Sequence, residues 1–414
     1  MKRYRNLAVI AVVTTISLGV FYTKVATSES NLPVYYINTE KGDPKSANNI
    51  EINANIYENN TNKNLTITTK GNEYRTNNSI FDFVNSKTFS AKKLNDLQKE
   101  EKNFMRGKNS DSSFYVDNDY VWQANVKGKN MNFNARNNDY KLYIDGLDLQ
   151  SKDRYTFKLD IPNEEDFSYI DVEDVQLIGK ELIVTTFQNK NFGENIRCIY
   201  RISITSKKMI DSKEFALVKG DDASRHTEIS NPSEIDLTQP KQYYVYREIE
   251  AKETSQENGE VLSEQISNTL HILNLETGKE EKINLTKEQL EMSKQSELIQ
   301  SDNMLYFIIH NDTNVTINKY SLERQKIEGE PIVIAKDKGV TFSNNKIING
   351  NLYTITNRVM NEGDRVMNDG KFSIYIIDLA TGSTTYEGLI KVKDTKENKE
   401  ELLKKLELFD FSVN

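Results

Sequence analysis

The densest concentration of reactive side chains in this sequence is Gly220-Asp221-Asp222-Ala223-Ser224-Arg225-His226. Two carboxylates, a guanidinium and an imidazole so close together can bind an anion or exchange a proton near neutral pH. The competing expectation is a solvated loop between structural repeats. The other two histidines, His271 and His310, fall within strand-like runs and read as structural or surface residues. Trp122 is the only tryptophan and lies mid-strand in the run Tyr120-Val121-Trp122-Gln123-Ala124-Asn125-Val126. A ring there packs between sheets or, at a channel mouth, stacks on a sugar or on a partner's side chain. The candidate ligand-binding residues are therefore Asp221, Asp222, Arg225, His226 and Trp122, and no catalytic residue is assigned.

Acidic clusters offer oxygen ligands of the kind calcium takes. One is Glu164-Glu165-Asp166 with Asp171, Glu173 and Asp174; another is Asn361-Glu362-Gly363-Asp364 with Asn368-Asp369-Gly370, which lacks EF-hand spacing. Such runs also belong on wet loops, so a divalent cation is carried only as a partner to be tested. The nucleophile elbow Gly-x-Ser-x-Gly, the zinc motif His-Glu-x-x-His, the P-loop and the dinucleotide glycine fingerprint are all absent, and no cofactor is expected. Cys198 is the single cysteine, so no intramolecular disulfide can form. It sits in the apolar run Ile196-Arg197-Cys198-Ile199-Tyr200 and reads as a small strand residue rather than a nucleophile.

The elements that must position these residues are strands. With 21 Tyr and 17 Phe the chain of 414 residues has too many aromatics for disorder, and 6 Pro and 18 Gly exclude a low-complexity composition. The hairpin Ser373-Ile374-Tyr375-Ile376-Ile377-Asp378-Leu379-Ala380-Thr381-Gly382 has a gapless echo in Leu270-His271-Ile272-Leu273-Asn274-Leu275-Glu276-Thr277-Gly278. Looser copies place Leu147, Ile204 and Leu322 at the same point, with steps of 57, 71, 47 and 57 residues up to Leu379. Thr39 takes that place in a first copy, leaving room for one unseen copy between. Asn349-Gly350 and Gly179-Lys180 between apolar alternations mark further hairpins. Repeats near 58 residues with about four strands each are the units of a β-propeller. The expectation is an all-β fold, a single propeller of four-stranded blades, seven favoured and six to eight allowed.

Three stretches break the pattern. Residues 91–105 read as a short surface helix. Thr286-Lys287-Glu288-Gln289 is a capping box flanked by Leu285 and Leu290, and starts a second. Residues 396–408 read as a third, with Leu402, Leu403, Leu406 and Phe409 on one face, and residues 408–413 then supply a strand that closes the ring on the first blade. Residues 251–263 read as an exposed loop within a hairpin.

At the start of the chain Lys2, Arg3 and Arg5 precede an uncharged run from Asn6 to Thr23. This pattern is that of a membrane signal with the positive side cytoplasmic and the rest outside. A retained single-pass anchor is favoured over cleavage near Ala26-Thr27-Ser28, which would release a secreted protein. The organisation expected is thus a signal or anchor over residues 1–30 and a propeller ectodomain over 31–414. Without Lys2, Arg3, Arg5 and Lys24 the formal charge moves from −8 to −12, which disfavours nucleic acid as a partner.

The run Tyr375-Ile376-Ile377-Asp378-Leu379-Ala380-Thr381-Gly382 and its echo at His271-Ile272-Leu273-Asn274-Leu275-Glu276-Thr277-Gly278 resemble the closing hairpins of PQQ-like and WD-like bacterial β-propellers. The resemblance implies the architecture over residues 33–414 and no cofactor. WD-like repeats would carry Gly-His and Trp-Asp pairs, and the PQQ enzymes a tryptophan-docking motif; all are missing. The function expected from this shape is a cell-surface scaffold or accessory subunit that docks a membrane or envelope protein on one face of the ring. Two alternatives stand beside it. One is a hydrolase or lyase acting on surface polysaccharide, and the other is a sensor with a small ligand in its channel.

Overall fold

The computed structural model describes residues 12–17, 19, 32–58, 61–74, 89, 91–128, 139–190, 194–218, 225–230, 241–255, 261–362, 365–393 and 395–413. Alternating apolar and polar residues make 25 strands, paired in six antiparallel sheets among the described residues. In chain order they begin with β1 (Tyr35–Gly42). Sheet 1 then holds β2 (Ile50–Glu58), β3 (Thr61–Thr68) and β4 (Gly71–Tyr74). Sheet 2 holds β5 (Phe114–Val116), β6 (Tyr120–Lys127), β7 (Lys141–Asp148) and β8 (Arg154–Asp160). Sheet 3 holds β9 (Phe167–Ile178), β10 (Glu181–Lys190), β11 (Asn195–Ser203) and β12 (Lys208–Val218). Sheet 4 holds β13 (Arg225–Ser230), β14 (Tyr243–Ser255), β15 (Val261–Asn274) and β16 (Glu280–Lys282). Sheet 5 holds β17 (Glu297–Ser301), β18 (Met304–His310), β19 (Asn314–Ser321) and β20 (Lys326–Ala335). Sheet 6 holds β21 (Val340–Ile348), β22 (Asn351–Glu362), β23 (Arg365–Asp378) and β24 (Ser383–Val392), and the chain ends in β25 (Leu406–Val413).

Both ends of the described chain tie distant sheets together. β25 pairs with β2 and completes sheet 1, with Ile52 opposite Phe411. β1 pairs with β24 and adds a fifth strand to sheet 6, with Ile37 opposite Ile390. The closing strand expected at residues 408–413 is therefore present, and a second closure was not anticipated.

The sheets pack face to face around a ring. Apolar clusters join sheets 6 and 1 through Phe372, Ile374, Ile52 and Phe411, and sheets 2 and 3 through Leu142, Ile144, Leu182 and Val184. Others join sheets 3 and 4 through Phe215, Tyr244 and Tyr246, sheets 4 and 5 through Leu270 and Phe307, and sheets 5 and 6 through Ile308 and Leu352. Beside sheet 2 on its other flank lie two helices, α1 (Lys92–Glu100) and α2 (Lys102–Met105), whose Leu94, Leu97 and Phe104 pack on Phe114 and Val121. α1 also reaches sheet 1, where Lys92 Nζ lies 2.7 Å from Glu51 Oε1. This is a β-propeller-like arrangement.

Six sheets rather than the favoured seven follow from how the repeat is built. The last residue of every third strand carries a side-chain oxygen that caps the next turn. Asp378 Oδ1 accepts the Ala380 and Thr381 N–H groups at 2.6 and 3.0 Å; Asn274 Oδ1 accepts those of Glu276 and Thr277 at 3.0 and 2.9 Å. Asp148 does the same for Gln150 and Ser151, and Ser203, Ser321 and Thr68 for Ser206, Arg324 and Lys70. The following N–H of Leu149, Ile204, Leu275, Leu322 and Leu379 donates to the turn between the first two strands of the same sheet. The copy in sheet 2 is thus at Leu149, two residues beyond Leu147. The first copy is the Thr68–Gly71 turn, not Thr39, which lies inside β1. Among the described residues, the stretch held for an unseen copy carries α1 and α2 instead.

Two other expectations shift. Residues 251–255 and 261–263 are strand rather than loop: β14 and β15 stay paired out to Ser255 and Val261, so the hairpin extends as a two-stranded arm, and residues 256–260 lie outside the described residues. The third helix, here α4 (Lys399–Lys404), ends where β25 takes over at Leu406, and Phe409 is half-exposed on a strand instead of on the helix's apolar face. The capping box does form at α3 (Lys287–Gln295), with Gln289 N–H to Thr286 Oγ1 at 3.2 Å and Thr286 N–H to Gln289 Oε1 at 2.9 Å.

Candidate functional site

Antiparallel order sends alternate connections to opposite faces of the ring. One face collects the first-to-second and third-to-fourth strand turns. They are tight, as at Asn349-Gly350, where φ of 49° and 72° fits the primed hairpin turn. The exception is the β13–β14 connection, of which residues 231–240 lie outside the described residues. The opposite face receives every helix, α1 to α4, and the long arms β14–β15 and β22–β23. Bulky connections gathered on one end of a rigid scaffold are where recognition concentrates.

Two cavities open on this loop face, on either side of the β22–β23 arm. The larger, about 600 Å³, lies between sheets 6 and 1. Its lining takes in Asn55 of β2, Asn62 and Asn64 of β3 and Asn357 of β22, with Phe372, Leu408 and the half-exposed Phe409. Alternation turns the Asn55 and Asn64 side chains to the face of sheet 1 opposite that of Ala54 and Leu65, which pack on sheet 6. The ladder places Asn55 opposite Asn64 and opposite Glu407 of β25. Asn55 Oδ1 is buried without a hydrogen-bond partner. Among the described residues Glu407 is the only carboxylate of the lining.

The smaller cavity, about 440 Å³, lies between sheets 5 and 6. Four of its five charged side chains have partners. Arg358 Nη2 stands 3.6 Å from Asp337 Oδ2, Asp369 Oδ1 accepts the Lys371 N–H at 2.9 Å, and Lys336 Nζ donates to the Val340 carbonyl at 2.7 Å. Tyr375 stacks on Phe342 at 6.1 Å, and burial together with the nearby Glu387 carboxylate raises its phenol pKa.

Of the residues singled out from sequence, Arg225 and His226 open β13 at its loop-face end, their backbones opposite Lys252 and Ala251. Asp221 and Asp222 lie outside the described residues. Trp122 is 3% exposed and is packed between Tyr120 and Tyr155, with ring centroids 6.4 and 5.9 Å away. The structure places it in the seam between sheets 2 and 3, not at a mouth. His271 is buried beside carboxylates: Nε2 is 2.8 Å from Glu248 Oε2 and Nδ1 3.8 Å from Glu280 Oε1. Tyr246 stacks on that imidazole at 4.6 Å and donates its hydroxyl to Glu280. Burial first, then the Glu280 carboxylate, pushes the Tyr246 phenol far above its ordinary value. This group closes the seam between sheets 3 and 4, away from both cavities. Of the acidic clusters, Glu173 is taken by Arg197 at 2.7 and 2.9 Å. Among the described residues no group of three or more His, Cys, Asp or Glu is arranged to hold a metal ion.

The cavity residues escaped sequence reading. Their signal was a period-two run of asparagines, Asn53-Ala54-Asn55 and Asn62-Lys63-Asn64, in a chain where asparagine is common everywhere.

No protein-family model matches the sequence, and no curated protein matches it. Solved structures do. Cobalt-substituted Synechocystis apocarotenoid oxygenase is similar at 10% identity over 71% of this chain and 61% of that one, with a TM-score of 0.33. Polysaccharide lyase Uly1 is similar at 8% identity over 64% and 57%, TM-score 0.32. The WD40 domain of SCAP from fission yeast is similar at 11% identity over 68% and 63%, TM-score 0.24. The chain spans about six-tenths of the length of these structures.

Proposed function

We propose that this chain is a binding module, a propeller-like scaffold that docks a membrane or envelope protein on its loop face. The observation that carries the reading is the asymmetry of the ring among the described residues: four α-helices, two projecting arms and the two cavities described above on one end, and on the other short turns apart from the β13–β14 connection. Such an end presents a broad, irregular surface on a rigid frame, which suits recognition. Catalysis has less to stand on. Among the described residues the larger cavity offers Glu407 alone where glycoside hydrolysis uses a pair of carboxylates. In the smaller one Asp337 and Asp369 are held by Arg358 and by a backbone N–H.

The membrane-tethered, extracytoplasmic setting rests on the sequence pattern at the start of the chain, most of which lies outside the described residues. Among the described residues no helix is long and apolar enough to cross a membrane.

Site-specific photo-crosslinkers test the docking face in cells. Probes at Asn311 and Glu401 sit on the loop face; probes at Lys180 and Thr277 sit on the turn face. The reading expects one dominant envelope protein captured from the first pair and not from the second. Capture from the turn face alone, or from neither face, overturns it.

A further inference from the structure

We infer that the cavity between sheets 5 and 6 binds a small carboxylate with an apolar body, its charged end held at the loop face. Such a site stands whether or not a protein docks on that face. Alternation decides which side chains meet here. Across the β22–β23 ladder Thr356 stands opposite Ser373, and Leu352 opposite Ile377. Leu352 and Ile377 pack on sheet 5, so Thr356, Arg358, Ser373 and Tyr375, at even spacing from them, look the same way. Phe372 and Ile374, between them, turn to sheet 1. From sheet 5 Ile334 answers across the seam, and Lys336 follows two residues on. Arg358, Thr356, Ser373, Tyr375, Ile334 and Lys336 all line this one cavity.

The sheet-6 wall is graded along its strands. Arg358 and Lys371 stand at the loop-face end, the Thr356 and Ser373 hydroxyls come next, and Tyr375 and Ile377 lie further in. Tyr375 is half-buried and stacks on the buried Phe342, with their rings 9° from parallel. A β-bulge builds the charged end. Asp369, Gly370 and Lys371 of β23 stand opposite Arg358 alone, which sets Lys371 across from it at the rim. Gly370, at φ 76°, lets the chain turn there, and α4 packs so closely that a Cβ on it would lie 3.2 Å from Lys404 N.

Both rim cations have donors to spare. The pair between Arg358 and Asp337 spans 3.6 Å, beyond hydrogen-bond reach, and the guanidinium donates no hydrogen bond among the described residues. Lys371 is exposed and forms no ion pair among them. A guanidinium is a planar fork that matches a carboxylate. Lys336, Arg358 and Lys371 against Asp337 and Asp369 leave the lining one positive charge, which balances a monoanion and not a phosphate dianion. The stacked rings and Ile377 suit a flat or branched hydrocarbon. The volume of about 440 Å³ lies within the roughly 300–1,000 Å³ of ordinary ligand sites. A free organic acid and the last residue of a polypeptide both present this chemistry.

Isothermal titration of the full-length chain tests it with 3-phenylpropionate and 4-methylpentanoate as free acids and N-acetylphenylalanine as a chain end, each beside its primary amide. At least one acid should bind, with its amide about tenfold weaker. The combined Arg358→Gln and Lys371→Gln variant should cost the acid about tenfold and leave the amide unchanged. Neither side chain has a hydrogen bond to lose, so the variant should melt as the wild type does; if it melts lower, Lys371→Gln alone decides by the same comparison. Binding of N-acetylphenylalanine alone supports the inference and assigns the site to a chain end; binding of the free acids supports it and assigns the site to a small molecule. Acid and amide binding equally, an acid bound undiminished by the variant, or no binding by any of the three overturns it. Inorganic phosphate binding more tightly than every acid, and lost in the same variant, overturns it too. None of these outcomes bears on which face the crosslinkers capture, so the docking reading stands or falls apart from them.

Discussion

Trp122 lies against the bare backbone of Gly146, its partner across the β6–β7 ladder. A Cβ built on Gly146 would come 2.5 Å from Trp122 Cζ3 and 2.7 Å from Cε3, closer than any carbon contact allows. The backbone of Gly146 has an ordinary strand conformation, so the glycine is there for space and not for φ. Gly146→Ala should therefore destabilise the chain by about 1–3 kcal/mol through overpacking. Urea unfolding followed by the fluorescence of Trp122 reads this directly, and an unchanged midpoint would contradict the contact.

Asp145 should dominate the acid limb of local stability in sheet 2. Burial opposes its charge, but hydrogen bonds from Lys108 Nζ at 2.6 Å, Thr156 Oγ1 at 2.7 Å and Arg154 Nη2 at 3.0 Å outweigh that, so its carboxyl titrates below the ordinary 3.8. A depressed folded-state value means the stabilisation is complete above the unfolded pKa and is lost as pH falls through the folded one. Asp145→Asn should lower the melting temperature at pH 7 and flatten the loss of stability below pH 4 (about the ordinary carboxyl range). Thermal melts from pH 7 to pH 2 check both limbs.

Cys198 should be inert in the folded chain. It is 4% exposed between Thr186 and Tyr200, and burial pushes its thiol up to about 12. Because the thiolate is the nucleophile, alkylation at pH 8 should be negligible without denaturant. Mass spectrometry after iodoacetamide, across a urea series, should show modification rising with global unfolding and not before.

Ring closure through β25 should be worth more than any single surface feature. Phe411 is fully buried opposite Ile52, in the cluster that binds sheet 1 to sheet 6. Phe411→Ala should cost about 3–5 kcal/mol, the range for large core truncations. By contrast, Thr286→Ala at the start of α3 should cost only about 1 kcal/mol, because it removes a single helix cap. Equilibrium denaturation of the two variants ranks them, and the reverse order would argue against closure by the last strand.

Much of the ring was legible in the sequence because its signals are local. Apolar alternation marks strands wherever one face is buried, and Asn349-Gly350 can hardly be anything but a tight hairpin. The capping oxygen before each turn, Asp148, Ser203, Asn274, Ser321 and Asp378, is a local device too, though the repeat was read from the leucines and the Thr-Gly turn and so missed the register of sheet 2 by two residues. The sheet count went astray at Thr39, where a strand–turn spelling recurs without the capping contact.

The candidate site was not legible, and the reason is physical. A cavity wall is assembled from residues far apart in the chain, here Asn55, Asn357 and Glu407, which share nothing until β25 pairs with β2 and sheet 1 packs on sheet 6. His271 closes a packing seam, in keeping with its reading as a structural residue, but its neighbours Glu248 and Tyr246 are set by register and not by adjacency. Sequence alone determined the strands, the turns and the repeat, which depend on neighbours a few residues away. Only the tertiary structure decided which end of the ring carries the bulky connections and which residues line the cavities there.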